Sequence, residues 1–178
     1  MPPRRNDLPL IFKAIAFAAA KHRDQRRKDA QATPYINHPI AVAEVLVNAS
    51  IQDPKVICAA ILHDTIEDTK TSPGELETLF GPRITSIVQE VTDDKNLEKA
   101  ERKRRQVEKS ADASRTARLV KLADKICNLR DINSSPPAGW PLARKQEYFD
   151  WAKQVVDRIR GVNADLERLF DQEYTRRP

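Results

Sequence analysis

The sequence predicts a compact all-α protein, and three observations support this fold class. Only four of the 178 residues are glycine, and aromatic residues make up 6% of the chain. Long stretches are rich in Ala, Leu, Glu, Lys and Arg, which are strong helix formers. No run of alternating apolar and polar residues is bounded by hairpin turns. A chain of this length can bury about two-thirds of its unfolded surface around one core, so residues 1–178 are expected to form a single domain.

The first two helices are predicted from the spacing of apolar residues and from a proline. Apolar side chains recur every three or four residues from Leu8, which predicts an amphipathic helix to about Lys21. A charged tract and a loop follow. Pro39 suits the first position of a second helix that ends near Asn48, because its missing N–H has no partner there anyway. His38 is therefore expected to be the N-cap of this helix or the neighbour of the N-cap.

The third helix carries the most informative residues of the chain. Asp53-Pro54 signals its start, and an apolar run leads directly into His63 and Asp64. A buried helix does not carry an imidazole and a carboxylate side by side without a partner, and a metal ion is the expected partner. Glu67 and Asp68 follow four residues later, so a continuous helix would place them on the same faces as His63 and Asp64.

The rest of the chain is also predicted to be helical. Helix-start signals, apolar periodicity and glycine breaks mark a short helix after Ser72, another after Pro82, a long helix at 114–131, and two closing helices at 141–160 and 163–174. The charged stretch 93–109 is either a loop or a solvated helix.

Composition restricts the environment and the partners of the protein. Both cysteines, Cys58 and Cys127, lie inside apolar helical patterns, which favours a reducing compartment over a disulfide framework. No apolar segment approaches a membrane-spanning length, so a soluble, cytoplasmic protein without a membrane partner is expected. The net charge of +5 suits an anionic partner. The oligomeric state stays open, and a homo-oligomer is compatible with the sequence.

The basic run 102–105 invites a nucleic-acid interpretation that its surroundings weaken. Glutamates are interleaved with it at positions 98, 101 and 108, and it lacks stacking aromatic residues. A solvated helical face is favoured, with attraction of substrate phosphate as the second interpretation.

His22 lies on the apolar stripe of the first helix, where a packed or hydrogen-bonded histidine is expected more often than a ligand. Trp140, Tyr148 and Trp151 are expected mainly to pack.

Four residues form a candidate metal site, namely His38, His63, Asp64 and Asp124. Two neutral imidazoles and two carboxylates suit a divalent Mn, Fe or Zn ion better than Mg or Ca. Such an ion polarises a phosphoryl oxygen and lowers the pKa of a bound water towards neutrality. This chemistry is typical of a metal-dependent phosphohydrolase.

The four residues match the pattern of the HD superfamily of metal-dependent phosphohydrolases. Five segments around them are more specific, and together they resemble the hydrolase domain of the Rel/SpoT enzymes of the bacterial stringent response: 27–28, 34–39, 59–69, 91–95 and 121–131. Further similarity at 139–140 and 147–152 resembles the stand-alone small alarmone hydrolases and the metazoan SpoT homologues. The motif-bearing part covers about residues 8–160, and the C-terminal helices close the domain.

The resemblance implies an HD-domain phosphohydrolase fold and removal of the 3′ pyrophosphate from guanosine tetra- or pentaphosphate, which leaves GDP or GTP. It implies one divalent metal, usually Mn, held by the four residues named above. Glu67 and Asp68 correspond to the family's Glu-Asp pair, which positions and activates the attacking water. A carboxylate one helical turn beyond the ligands is well placed as a general base, and the sequence does not decide which of the two takes the proton.

The resemblance also implies which residues bind the substrate. Arg27, Lys28 and Asn128 correspond to residues that lie against the nucleotide, and Tyr35 is a weaker candidate for flanking the nucleoside. Arg offers a bidentate fork and Lys a point charge to an anionic guanine nucleotide.

Two other functions remain open from the sequence. The same site would also suit removal of the 2′-phosphate of NADPH, an activity that the resemblance to the metazoan homologues suggests. A non-catalytic nucleotide sensor or a nucleic-acid-binding module is the third interpretation, and the intact Glu67-Asp68 pair argues against it.

Overall fold

The computed structural model describes residues 7–178, and within this range it contains helices and no β-strand. The all-α prediction is confirmed. The ten helices of the described range are α1 (Leu8–Lys21), α2 (Asn37–Asn48), α3 (Pro54–Leu62), α4 (Thr65–Asp68), α5 (Pro73–Phe80), α6 (Pro82–Val91), α7 (Lys99–Ser110), α8 (Arg115–Ser134), α9 (Leu142–Asp157) and α10 (Ala164–Thr175).

The core is built around α3 and α8. Every residue of α3 from Val56 to Leu62 is buried, and the helix packs against α1, α2, α6 and α8. Helix α8 packs in turn against α2, α6, α9 and α10. The apolar run before His63 is therefore the centre of the core, which is why the polar residues that follow it lie at the bottom of a cleft.

Side-chain caps at several helix starts match the sequence signals. Asp53, Ser72, Ser114 and Asn163 each accept a hydrogen bond from a backbone N–H in the first turn of the helix that follows. Such a cap is worth about 1 kcal/mol. The carboxylate of Glu75 in the first turn of α5 lies 2.8 Å from Lys21 Nζ and ties α5 to α1.

The prediction for the start of α2 was wrong by two residues. Ile36 is the N-cap, and His38 is the second residue of the helix. The N–H of His38 donates to the Tyr35 carbonyl at 3.0 Å, because the chain already turns at Pro34-Tyr35 before the helix begins. Pro39 still lies in the first turn, where its missing N–H removes no helical hydrogen bond.

The helix that carries the His-Asp pair is not continuous. It ends at Leu62, His63 and Asp64 form a turn, and Asp64 caps the short helix α4 that carries Glu67 and Asp68. Glu67 lines the same cavity as His63 and Asp64, whereas Asp68 lines a neighbouring cavity, because consecutive residues of a helix point in different directions. The continuous helix assumed in the sequence-based prediction is therefore interrupted, although Glu67 still shares a cavity with His63.

The charged stretch divides into a loop and a helix. Residues 92–98 form the loop, and α7 follows from Lys99. The two closing helices are confirmed as α9 and α10, and Gly161 between them has a φ of 89°, a conformation that glycine adopts without strain. None of the helices in residues 7–178 combines the length and the apolar character that a membrane span requires.

Candidate metal centre and active site

Three helical segments bring the predicted metal ligands together. His38 comes from α2, His63 and Asp64 from the turn after α3, and Asp124 from the middle of α8. One donor atom from each of His38, His63 and Asp124 lies within 4.8 Å of the other two. Asp64 lies beside this three-residue group, with its Oδ2 3.1 Å from His63 Nε2 and 4.0 Å from His38 Nε2.

The protonation of His63 makes this group suitable for a cation. His63 Nδ1 lies 2.7 Å from the Ala60 carbonyl oxygen, which can only accept, so Nδ1 carries the proton of the neutral ring. Nε2 then presents a lone pair. It is buried, has no hydrogen-bond partner within residues 7–178, and faces Oδ2 of Asp64 at 3.1 Å and Oδ1 of Asp124 at 3.7 Å. A ring nitrogen that faces two carboxylates favours a positive charge at this place, which a proton on Nε2 supplies in the metal-free protein and a divalent metal ion would supply in its stead.

The pKa values around the group report the same balance of charges. Burial alone would lower the pKa of His63, but the carboxylates of Asp64 and Asp124 outweigh it and raise the pKa well above its usual value. Burial alone would raise the pKa of Asp64 and of Asp124. The charge of His63 chiefly lowers the pKa of Asp64, and the charge of Lys125 chiefly lowers the pKa of Asp124. Both carboxylates are therefore charged at neutral pH.

Tyr35 holds one of the carboxylates in place. Its hydroxyl donates to Asp64 Oδ2 at 2.6 Å, and its ring lies 5.0 Å from the ring of His22. Burial raises the pKa of the Tyr35 hydroxyl, as do the negative charges of Asp64 and Asp68, so it remains a donor. His22 is almost fully buried and hydrogen-bonded to Gln25, which confirms that it packs beside the group rather than within it.

Glu67 and Asp68 are held by different neighbours. Glu67 Oε2 accepts from the backbone N–H of Asp93 at 3.1 Å. Burial raises the pKa of Glu67 to about 7. The hydrogen bond from Asp93 opposes this rise, and the negative charge of Asp64 adds to it. Asp68 accepts from Gln25 Nε2 at 2.8 Å and pairs with Lys95 from the loop before α7.

Two cavities meet at Tyr35, His38 and Asn128, which line both. The larger, here called the outer groove, has a volume of about 650 Å³ and is lined by residues that include Arg27, Lys28, Asp68, Lys95, Trp140 and Tyr148. The smaller, here called the inner chamber, has a volume of about 220 Å³ and is lined by residues that include His63, Glu67, Asp93, Arg102, Lys121 and Lys125. Only the outer groove falls in the range of about 300–1,000 Å³ that is usual for sites of drug-sized ligands.

The predicted substrate-binding residues lie along the outer groove. Arg27 donates to Asn128 Oδ1 at 3.2 Å and to Asp131 Oδ2 at 2.5 Å, and its guanidinium lies 5.6 Å from the centre of the Tyr35 ring. Asn128 Nδ2 donates to Asp124 Oδ1 at 2.7 Å. Lys28 is exposed at the rim of the groove. Asn128 thus links the basic side of the groove to the metal group.

The sequence reasoning missed several polar residues of the site. Lys125 is only 3% exposed, pairs with Asp124 Oδ2 at 3.1 Å, and lies 4.4 Å above the ring of Trp151. Gln25 supports Asp68, and Gln106 donates to Asp93 Oδ2 at 2.5 Å. For Lys125 a signal was available, since it follows Asp124 directly in the family-like segment 121–131. No helical pattern indicated Gln25 or Gln106.

The basic run on α7 divides between two environments. Arg104 and Arg105 bind Glu101 on the exposed face, as the solvated-face interpretation predicted. Arg102 instead lines the inner chamber. Among the aromatic residues, Trp140 and Tyr148 line the outer groove and Trp151 the inner chamber, so all three also form walls of the site.

Comparisons with known proteins agree with this geometry. The model of the HD domain family matches residues 14–150. The guanosine-3′,5′-bis(diphosphate) 3′-pyrophosphohydrolase MESH1 of Danio rerio is 54% identical over 169 residues, with 94% of each chain covered. The protein of the same name from Homo sapiens is 53% identical over 168 residues, with the same coverage.

Bacterial and structural relatives extend the comparison. The GTP pyrophosphokinase rsh of Brucella melitensis is 38% identical over 129 residues, which are 69% of this chain and 17% of that protein. The solved structure of a metazoan orthologue of SpoT that hydrolyses ppGpp and plays a role in starvation responses superposes with a TM-score of 0.92. It is 49% identical and covers 99% of this chain and 98% of its own. The chain is therefore a member of the HD-domain family, in the branch that contains the metazoan SpoT homologues.

Proposed function

We propose that this protein is a metal-dependent guanosine-3′,5′-bis(diphosphate) 3′-pyrophosphohydrolase, which converts guanosine tetra- or pentaphosphate to GDP or GTP and pyrophosphate. The observation that carries the proposal is the buried His63 Nε2, which lies between Asp64 and Asp124 without a hydrogen-bond partner within residues 7–178, in a small chamber that adjoins a nucleotide-sized groove. Relatives at 52–54% identity over nearly the whole chain carry that enzyme name.

His38, His63, Asp64 and Asp124 would hold one divalent ion, and we assign Mn²⁺ to it. Two imidazoles with two carboxylates favour a transition metal over Mg²⁺ or Ca²⁺. When bound, the ion polarises a phosphoryl oxygen and lowers the pKa of nearby water. Tyr35 then acts on the metal site rather than on the nucleoside, because its hydroxyl is already bonded to Asp64.

Glu67 is assigned as the general base and Asp68 as a positioning residue. Glu67 lines the inner chamber and has a pKa of about 7, so it is suited to taking a proton from water near neutral pH. Asp68 faces the outer groove and is occupied by Gln25 and Lys95. It would keep Lys95 at the groove, where the ammonium can attract a substrate phosphate.

The two cavities suit the in-line geometry of phosphoryl transfer. With the nucleoside in the outer groove beside Arg27, Lys28 and Asn128, the proximal phosphorus of the 3′ diphosphate lies where the cavities meet. Water beside Glu67 then attacks from the inner chamber, opposite the ribose oxygen. The new P–O bond forms as the bond from phosphorus to the 3′ oxygen breaks, and that oxygen takes a proton.

The test is product analysis with purified protein and guanosine tetraphosphate, with and without added Mn²⁺. We expect GDP and pyrophosphate in equal amounts, turnover that depends on the metal, and loss of turnover in Asp124→Asn. NADPH is assayed in parallel, since the alternative 2′-phosphatase reaction releases orthophosphate. Metal-loaded protein that leaves guanosine tetraphosphate intact but releases orthophosphate from NADPH would refute the proposal.

A further inference from the structure

The inner chamber has a size and a lining that the nucleoside does not use. Its volume of about 220 Å³ is below the range of about 300–1,000 Å³ usual for drug-sized ligands, but it exceeds the share of liquid volume of one water, about 30 Å³, several-fold. It can therefore hold a small inorganic group next to the metal position and not a second nucleoside.

Lys121 is a buried cation without an ionic partner. It is 6% exposed and makes no side-chain hydrogen bond or ion pair to any of the residues 7–178. It lies one helical turn before Lys125 on α8, so both ammonium groups come from one face of that helix. Lys125 is already neutralised by Asp124, 3.1 Å away. The carboxylates of Asp93, Asp124 and Glu67 attract the Lys121 ammonium without pairing with it directly. A buried ammonium with no direct partner is costly, so an additional anion beside it would be stabilising.

Arg102 brings a second unpaired cation from another helix, α7. Its guanidinium makes no hydrogen bond or ion pair within the described residues, although it is partly buried against the inner chamber. The nearby Arg104 and Arg105 differ, since both bind Glu101 on the outer face of the same helix. Two helices thus direct one free cation each into the same small cavity.

The carboxylates of the inner chamber are already engaged. Asp64 and Asp124 face the metal position, Asp93 accepts from Gln106, and Glu67 accepts from the N–H of Asp93. The lining includes three cationic side chains and four carboxylates, so the formal charge of the chamber without a metal ion is −1. A bound divalent ion would raise the formal charge of the chamber to +1. A metal-loaded chamber therefore attracts an additional anion.

We propose that the inner chamber binds the terminal phosphate of the substrate's 3′ diphosphate, and then the departing pyrophosphate, through Lys121 and Arg102. The inference rests on the proposed function and adds a subsite to it. Water adds to the proximal phosphorus, the bond to the 3′ oxygen breaks, and the P–O–P bridge stays intact. The terminal phosphate is thus held by the same two cations before and after the reaction, which gives the site its preference for a 3′ diphosphate over a 3′ monophosphate.

The variants Lys121→Met and Arg102→Met test this subsite with two substrates. These are guanosine tetraphosphate and the matching nucleotide with a single 3′ phosphate, and Arg104→Met is the matched control on α7. For each test variant we expect kcat/KM for the diphosphate to fall about 10- to 100-fold, as for loss of one hydrogen bond to a charged group. The monophosphate should change by less than about twofold, and the control should change neither.

Binding provides a readout that does not depend on turnover. The chain has two tryptophans, and Trp151 lines the inner chamber, so Trp140→Phe leaves its fluorescence as a local reporter. In Mn²⁺-loaded Trp140→Phe/Glu67→Gln protein, we expect the diphosphate nucleotide to bind about 10- to 100-fold more tightly than the monophosphate. Adding Lys121→Met should abolish most of that difference. Lys121→Met removes an unpaired buried charge, so a thermal melt should show no loss of stability.

The outcomes separate the two proposals. Wild-type protein that does not hydrolyse guanosine tetraphosphate overturns the proposed function. The terminal-phosphate subsite alone is overturned if wild-type protein hydrolyses guanosine tetraphosphate, Lys121→Met and Arg102→Met keep the full preference for the diphosphate in kcat/KM, and Lys121→Met keeps it in the binding assay.

Discussion

Glu67→Gln should lower activity and raise stability at the same time. The Glu67 carboxyl is mostly buried, and burial raises its pKa from the usual 4.5 to about 7. Glutamine has nearly the same shape, cannot ionise, and keeps an oxygen that can accept from the Asp93 N–H. A residue retained only for packing would not give these opposite changes, whereas a buried base is expected to do so.

The effect on stability follows from the direction of the pKa shift. The folded state binds the proton of Glu67 more tightly than the unfolded chain does. The stability that this proton contributes to the folded state is therefore complete below about pH 4.5 and is lost as pH rises through about 7. A shift of about 2.5 units corresponds to roughly 3 kcal/mol. Metal-free Glu67→Gln should therefore exceed wild type by up to about 3 kcal/mol in free energy of unfolding at pH 8 and match it at pH 4. Urea denaturation of both metal-free proteins at the two pH values measures this difference.

The effect on activity is expected to be large and specific to Glu67. Removal of a general base costs about 10²- to 10⁴-fold in rate. A divalent ion near Asp64 lowers the pKa of Glu67, so wild-type kcat should decline on the acid side of an inflection at or below about pH 7, and the variant should lack this limb. Asp68→Asn is the control, because it should raise KM and keep the acid limb. Glu67→Gln protein that is less stable than wild type at pH 8, or that keeps more than a tenth of wild-type kcat, refutes the assignment.

Three further predictions concern the metal group. Tyr35→Phe removes the hydroxyl that donates to Asp64 and should weaken Mn²⁺ binding about 10- to 100-fold in a calorimetric titration, and unchanged affinity would contradict its assigned role. Lys125→Met leaves Asp124 without its buried partner and should cost about 3–5 kcal/mol in urea denaturation of the metal-free protein, unlike an Arg104→Met control. Mn²⁺ at 100 times its Kd should stabilise the chelator-treated protein by about 2.7 kcal/mol, and a Tm unaffected by Mn²⁺ would argue against the site.

The sequence predicted the fold and the metal group because both depend on local patterns. Apolar periodicity, proline starts and polar caps gave α1, α5 and α10 nearly to the residue, and the starts of α3 and α8 as well. His63 and Asp64 were recognisable because they interrupt an apolar run. Their neighbours His38 and Asp124 required the family pattern, since the packing of α2 and α8 on α3 cannot be derived from spacing within a single helix.

The parts that the sequence did not predict depend on tertiary contacts. The turn at His63-Asp64 interrupts the helix that was predicted to run on to Asp68, and no glycine or proline marks that turn. Lys121 lies in the family-like segment 121–131, but only the packing of α8 places it in the lining of the inner chamber. Arg102 belonged to a run of four basic residues, and only the packing of α7 distinguishes it from Arg104.

Hydrolysis of guanosine tetraphosphate in ¹⁸O-labelled water tests the central claim most directly. The Mn²⁺-loaded protein is allowed to turn over in the label, and both products are analysed by mass spectrometry. Attack of water on the proximal phosphorus predicts one ¹⁸O atom in pyrophosphate and none in GDP. Label in the ribose of GDP, release of orthophosphate in place of pyrophosphate, or absence of turnover in the metal-loaded protein would contradict it.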